Sequence, residues 1–340
     1  MSKAVIFRGA ALLILGSASY WVVRLAWADP VRDQTLSDLQ RAAALDPANA
    51  ARFERLGQRA EVEGDLALAE SSLLRAAELS RLYQPRYLLA QYYFRRNDAP
   101  GWERWSSEAF TMAPGGVIPL VELAWQRKPN AEAMAEQALS ERPFIARQFL
   151  FFLVRNGETR SAAKLARHLA ETGGTDDRPV ILGFCERALA DANLTDAMDV
   201  WNILCRRKLL PYEPVSLVTN GDFRLPTVSN GFDWHIERTA RQGRSVLHVD
   251  LTDAQASSVI AWQYAPLQRG ARYRLRYEAS GIADGIGVSV FYPEGGQWKE
   301  WLPGRAPEFE SPSNLIRLVL MCRRPAGMGT VTGVRMEVQQ

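Results

Sequence analysis

Two indoles in a polar setting offer the plainest chemistry in this sequence. Trp298 and Trp301 sit in Gly295-Gly296-Gln297-Trp298-Lys299-Glu300-Trp301, an edge strand or loop in which neither ring has an obvious reason to be buried. A pyranose has one apolar CH face and polar edges, so an exposed aromatic ring flanked by hydrogen-bonding side chains is what recognises it. Packing at the edge of a sheet is the other reading of the same pair. Trp234, Trp262 and Tyr264 alternate within apolar runs and are expected in the core. Glycoside hydrolysis would need two carboxylates facing each other across a cleft. Asp233, Asp250, Asp253 and Glu278 are present, but no spacing pairs them, and no nucleophile–base pattern stands out elsewhere, so no enzymatic activity is expected. Asp222 and Glu337 are candidate ligands of a structural calcium ion, because Ca²⁺ takes carboxylates together with backbone carbonyls. A carboxylate hydrogen-bonded in a turn is the alternative for Asp222. Cys185, Cys205 and Cys322 form no Cys-x-x-Cys pattern, and His168, His235 and His248 show no ligand spacing, which argues against zinc or haem. Cys185 and Cys205 read either as a disulfide or as two small buried helix residues.

These groups must be positioned by more than one domain, since 340 residues exceed one typical core. Hydrophobic residues make up 47% and charged residues 23%, a globular balance. The net charge of +3 is small and the arginines are interspersed with acids, so a nucleic-acid surface is not expected. The first segment, 1–28, is expected to target the chain. Lys3 and Arg8 precede an uncharged apolar run from Gly9 to Val23, then come Arg24 and Leu25-Ala26-Trp27-Ala28. A secretory signal peptide ending in Ala-x-Ala and an uncleaved membrane helix of roughly 37 Å both fit. Either places the remainder outside the cytoplasm. The anchored form would be a single-pass inner-membrane protein with its bulk in the periplasm.

Residues 29–210 show helical periodicity. In Asn49 to Arg81, Phe53, Leu56, Gly57 and Ala60 lie on one helix, Gly64-Asp65 makes the turn, and Ala69, Leu73 and Ala76 lie on the next. Small residues at Gly57, Ala69 and Ala76 would let paired helices approach while large ones fill the groove. Tyr87, Ala90, Phe94, Asn97-Asp98, Trp102, Trp105 and Ala109 repeat the scheme. Weaker echoes follow at Asn156-Gly157-Glu158 with Ala162, and at Ala192-Asn193 with Trp201, where Cys185 takes the place of Gly57. This half resembles the tetratricopeptide-repeat family, with Gln91 and Arg81 as departures where Gly and Pro are usual. The resemblance implies a right-handed helical array whose groove binds peptides or proteins. Tyr83, Tyr87, Tyr92, Trp102 and Trp105 are its candidate lining residues, with packing between repeats as the alternative.

Pro211 and Pro214 stop the helices, and residues 211–340 carry candidate strands at the spacing of an all-β sandwich. They are Val215–Val218, Phe232–Glu237, Ser245–Leu251, Ser258–Tyr264, Arg272–Ala279, Gly287–Tyr292, Leu315–Cys322 and Val331–Val338. The opening Asn220-Gly221-Asp222-Phe223 and Gly231-Phe232-Asp233-Trp234 supply left-handed turn positions, an aspartate to cap amides, and Phe223 to plug a core. This region is similar to carbohydrate-binding-module-like jelly rolls of the galactose-binding-domain-like group. The whole chain thus has an expected fold class: an N-terminal membrane helix, an all-α tetratricopeptide-like array, then an all-β jelly roll. The joined resemblances imply an accessory scaffold of bacterial exopolysaccharide or surface-polysaccharide assembly, with a protein partner from that assembly or export system and glycan as a second ligand. A protein-interaction scaffold without glycan binding and a polysaccharide-modifying enzyme are the alternatives.

Overall fold

In a computed structural model the backbone is described for residues 35–293, 297–302 and 307–339, and the side chains for 35–293 and 307–339. The N-terminal targeting segment expected at 1–28 lies outside them. No helix among the described residues is long and apolar enough to cross a membrane. The described residues form eleven α-helices followed by ten β-strands. By compactness the chain forms two units, one ending at Pro129 and one starting at Asn130.

The first unit holds α1 (Leu36–Leu45), α2 (Ala50–Glu63), α3 (Leu66–Leu79), α4 (Tyr83–Arg95), α5 (Ala99–Met112) and α6 (Ile118–Arg127). Helices α2 with α3 and α4 with α5 form close pairs. Asn49, Asp65 and Asp98 cap the N-termini of α2, α3 and α5 by accepting backbone amides. Gly57 is required by close packing: a Cβ there would come 2.6 Å from Leu73 Cγ and 3.1 Å from the Ala69 carbonyl oxygen.

The second unit opens with α7 (Ala131–Leu139), α8 (Pro143–Arg155), α9 (Thr159–Thr172), α10 (Arg178–Ala190) and α11 (Leu194–Arg206). One turn device recurs along the helices of both units. Gly64, Asn97, Gly157 and Ala192 all have positive φ, between 55° and 85°. In each case the next residue donates its N–H to a carbonyl five positions back: Asp65 to Ala60, Asp98 to Tyr93, Glu158 to Leu153 and Asn193 to Ala188. This is the six-to-one bond that closes a helix through a left-handed residue. The turns at Gly64 and Asn97 are 33 residues apart and those at Gly157 and Ala192 are 35 apart, close to the roughly 34-residue length of a helix-pair repeat, while 60 residues separate Asn97 from Gly157. Cys185 stands where Gly57 does, and its Sγ lies 3.8 Å from the Ala197 carbonyl, the counterpart of Ala69. Both Cys185 and Cys205 are free thiols, buried, and burial pushes the Cys205 thiol up to about 12.

Ala192 carries a left-handed strain that Gly would not. Ala192→Gly is therefore expected to stabilise the chain by about 0.5–1 kcal/mol, after the extra entropy glycine gives the unfolded chain. A urea titration would show it as a higher midpoint at unchanged slope.

The strands form two five-stranded antiparallel sheets packed as a sandwich. The first orders β1 (His235–Ile236), β4 (Val259–Pro266), β9 (Leu315–Cys322), β6 (Ile286–Tyr292) and β7 (Gln297–Leu302). The second orders β2 (Ala240–Gln242), β3 (Leu247–Asp250), β10 (Met328–Gln339), β5 (Arg272–Ser280) and β8 (Glu308–Glu310). Between them lie Phe223, Trp234, Leu247, Val249, Tyr273, Leu275, Val288, Val290, Leu318 and Leu320, among others. The alternation in β3 and β5 is as expected from the sequence, with Tyr273 and Leu275 inward and Arg274 and Arg276 outward, paired with Glu308 and Glu337. Val215–Val218 is not a strand; the segment is tied down by side chains instead, with Val215 N–H on Asn202 Oδ1 and Thr219 N–H on the buried Gln263. Short strands β2 and β8 carry too few residues to show a period.

Candidate functional site

The opening motif of the sandwich is structural. Asn220 takes φ +47°, and its amide group both donates to and accepts from Leu225. Phe223 is fully buried against Trp234, with ring centroids 5.3 Å apart. Asp222 accepts from Arg224 N–H at 3.2 Å and pairs with the Arg224 guanidinium at 3.1 Å. Glu337 pairs with Arg276 at 3.3 Å and Arg335 at 3.4 Å. Each of the two calcium candidates is thus engaged by arginine, and no cluster of three potential ligands brings them together among the described residues.

Beside the motif the last helix pair is joined to the sandwich. Trp201 of α11 is fully buried, stacked on Tyr212 at 5.8 Å and edge-on to Phe232 at 5.7 Å. Gly231, at φ +61°, lets the chain pass there, since a Cβ would meet Trp201 Cζ3 at 2.7 Å. Glu186 of α10 accepts from Gly231 N–H at 2.7 Å and lies 3.2 Å from His235 Nε2. Asp233 is wholly buried and accepts from Tyr212 Oη at 2.8 Å, Ser229 N–H at 3.2 Å, and Val228 N–H. Burial raises the Asp233 pKa in spite of these donors, and burial followed by the Asp233 charge raises that of Tyr212.

The buried Asp233 carboxyl makes stability depend on pH. Its folded pKa lies above the unfolded value, so the stability it lends is complete below the unfolded pKa and is lost as pH rises through the folded one. The wild-type urea midpoint should fall across that window, and Asp233→Asn should flatten this part of the profile.

The outer faces of the two sheets differ. On the second sheet, arginines and glutamates alternate in pairs, the pattern of a solvated face. On the first, strand register makes one row of Tyr264, Arg317, Phe291 and Trp298. The Arg317 guanidinium lies 4.3 Å from the Trp262 ring, 5.2 Å from Tyr264 and 5.4 Å from Phe291, and Nη2 donates to Tyr264 Oη at 2.9 Å. No carboxylate among the described residues comes within ion-pair distance of it, and its Nε is buried without a hydrogen-bond partner. Trp262 also stacks on His235 at 3.7 Å and 4°.

Tyr264 is fully buried, as expected, and Trp262 half-buried, but both lie on the side of β4 away from the cluster between the sheets. Inward positions on β4 go to Ala261, Gln263 and Ala265. With imidazole on one strand beside it and guanidinium on the other, the Trp262 ring is occupied on both sides and offers no free platform to a sugar. Trp298 and Trp301 lie on β7; their side chains are outside the described residues, while the backbone puts Trp298 opposite Phe291.

Of the helical candidates, Tyr92, Trp102 and Trp105 are buried between helices: Tyr92 Oη donates to the Leu66 carbonyl and Trp102 packs edge-on to Phe94. Tyr83 and Tyr87 are half-buried and stack at 5.4 Å, with Gln91 donating to Tyr87 Oη. Burial pushes the Tyr83 hydroxyl up to about 12.

No family model matches the chain. A search of characterised proteins found no similar sequence either. What the chain itself shows is a helical repeat-like region followed by an antiparallel sandwich. Sequence reasoning passed over Arg317, although a lone cation in the apolar run Leu315–Cys322 was a visible signal. Nothing local to the Pro211–Pro214 helix stop marks Tyr212 as the partner of Asp233.

Proposed function

We propose that the chain is a non-catalytic, membrane-anchored extracytoplasmic scaffold. It takes a protein partner on tetratricopeptide-like repeats and glycan on a carbohydrate-binding-module-like jelly roll, in surface-polysaccharide or exopolysaccharide assembly. The observation that carries this reading is the joint between α11 and the sandwich. The chain commits Trp201, Tyr212 and Phe232, three large buried aromatics, to holding a β-sandwich against a helix pair. That is how a binding face is presented at a fixed orientation. Trp298 on the edge strand β7, opposite Phe291, is the position left for the glycan half, and Tyr83 with Tyr87 supports a partner face on the helices.

A scaffold that binds protein alone is favoured by one observation, the occupation of both sides of Trp262. A glycan array probed with the full chain separates the two. The expected result is saturable binding that Trp298→Ala weakens by about tenfold, the worth of one aromatic stacking contact. Absence of binding by the wild type would leave the protein-only scaffold.

A further inference from the structure

The outer edge of the second sheet holds a feature that its paired charges do not explain. A cavity of about 340 Å³ is lined by Arg238, Thr239, Arg241, His248, Asp250 and Met328. It lies where β2, β3 and β10 run side by side, with Arg241 opposite His248 and Asp250 opposite Met328 in register. Elsewhere on this face Arg274 pairs with Glu308 and Arg276 with Glu337, which Arg335 shares, and Arg272 stands in register with Glu310. Arg238 and Arg241, both exposed, have no carboxylate within 4 Å among the described residues.

The one acid of the cavity, Asp250, makes no ion pair with either arginine and accepts instead from the Thr252 N–H at 3.0 Å. The Thr239 hydroxyl lies buried at the cavity with no hydrogen-bond partner. His248 is folded over Gly243, close enough that a Cβ there would collide with the imidazole. Met328, 72% exposed, gives the site an apolar side.

Two unpaired guanidiniums, an imidazole and an unsatisfied hydroxyl around a space the size of one or two sugar rings ask for an anion carried on a partly apolar body. We infer that this edge is a binding site for an acidic saccharide, whose carboxylate meets Arg238 and Arg241 while a ring face lies on Met328. The inference rests on the reading that the sandwich binds glycan, and it adds both a second place and a charge to that ligand. It involves no covalent step.

Isothermal titration of the full chain with a galacturonate tetramer at low salt tests it, with the fully methyl-esterified tetramer and inorganic sulfate as comparators. Binding of the acidic tetramer is expected, weakening as salt rises, with at least about tenfold loss for the neutral ester and for the double variant Arg238→Gln/Arg241→Gln. Both substituted residues are exposed, so an unchanged melting temperature will show that the variant is folded. Equal affinity for the neutral ester, indifference to the double variant, or sulfate binding as tightly as the tetramer would each overturn the inference. A chain that binds array glycans through Trp298 but ignores these arginines would fail here and leave the proposed function standing. A chain that binds no glycan at all would fail both.

Discussion

Replacing Trp201 with alanine is expected to cost about 3–5 kcal/mol, near the top of the range for a single core truncation. The indole is completely inaccessible to solvent, and it fills the space between Tyr212, Phe232 and the Gly231 backbone. Its loss leaves two rings with no partner on one side and opens a void too apolar for water to enter at low cost. The effect should not be confined to α11. Val228 and Ser229 hold their amides on Asp233, Asp233 is positioned by Tyr212, and Tyr212 is stacked on Trp201. Hydrogen exchange should therefore show the 228–233 segment losing protection together with Trp201–Cys205. Loosening of the helix alone, with the loop unaffected, would mean that the joint is a passive contact. A further consequence concerns dissection: a fragment beginning at 211 would bare Tyr212 and Phe232, so binding studies belong on the full chain.

Gly221→Ala is the second large effect expected, about 3 kcal/mol through overpacking. Gly221 is a place of close backbone approach: its carbonyl accepts from Val334 N–H at 2.9 Å, and an added Cβ would fall inside the van der Waals envelope of the Val334 carbonyl oxygen. Val334 lies within the irregular stretch of β10, where register shifts between Thr332 and Arg335, and its side chain is in the core. The clash is with backbone, so no side-chain rotation relieves it. Gly115→Ala is the matched control, with open space around the position and a change within about 0.5 kcal/mol expected. Chemical denaturation of the two variants measures the difference; similar midpoints would remove the close-approach account of the motif.

Much of this fold was legible because its periods are strong. Leu315–Cys322 is a strand at the bounds its apolar run gives, and the alternation of Tyr273 and Leu275 with arginines names the inward face. The repeat equivalence of Cys185 with Gly57 was also readable, since both sit where two helices touch. What was not readable depends on partners distant in sequence. The burial of Trp105 and Tyr92 is decided by neighbouring helices, and an aromatic on a helix looks the same whether it faces a groove or a packing seam. Trp262 and Tyr264 alternate as core residues would, but alternation says only that two faces differ, not which is inward. Charge pairing has the same limit. That Arg274 meets Glu308 while Arg241 meets no acid is a property of strand order, which places β8 beside β5 and leaves β2 at an edge.

A glycan-binding scaffold should bind polysaccharide and leave it intact. The most direct measurement is to titrate the full chain with purified bacterial surface polysaccharide and follow binding heat and polysaccharide chain length in the same samples. Saturable binding with unchanged chain length and no new reducing ends is the expected result. Shortening or chemical modification of the polysaccharide, or no binding to any polysaccharide tried, would contradict it.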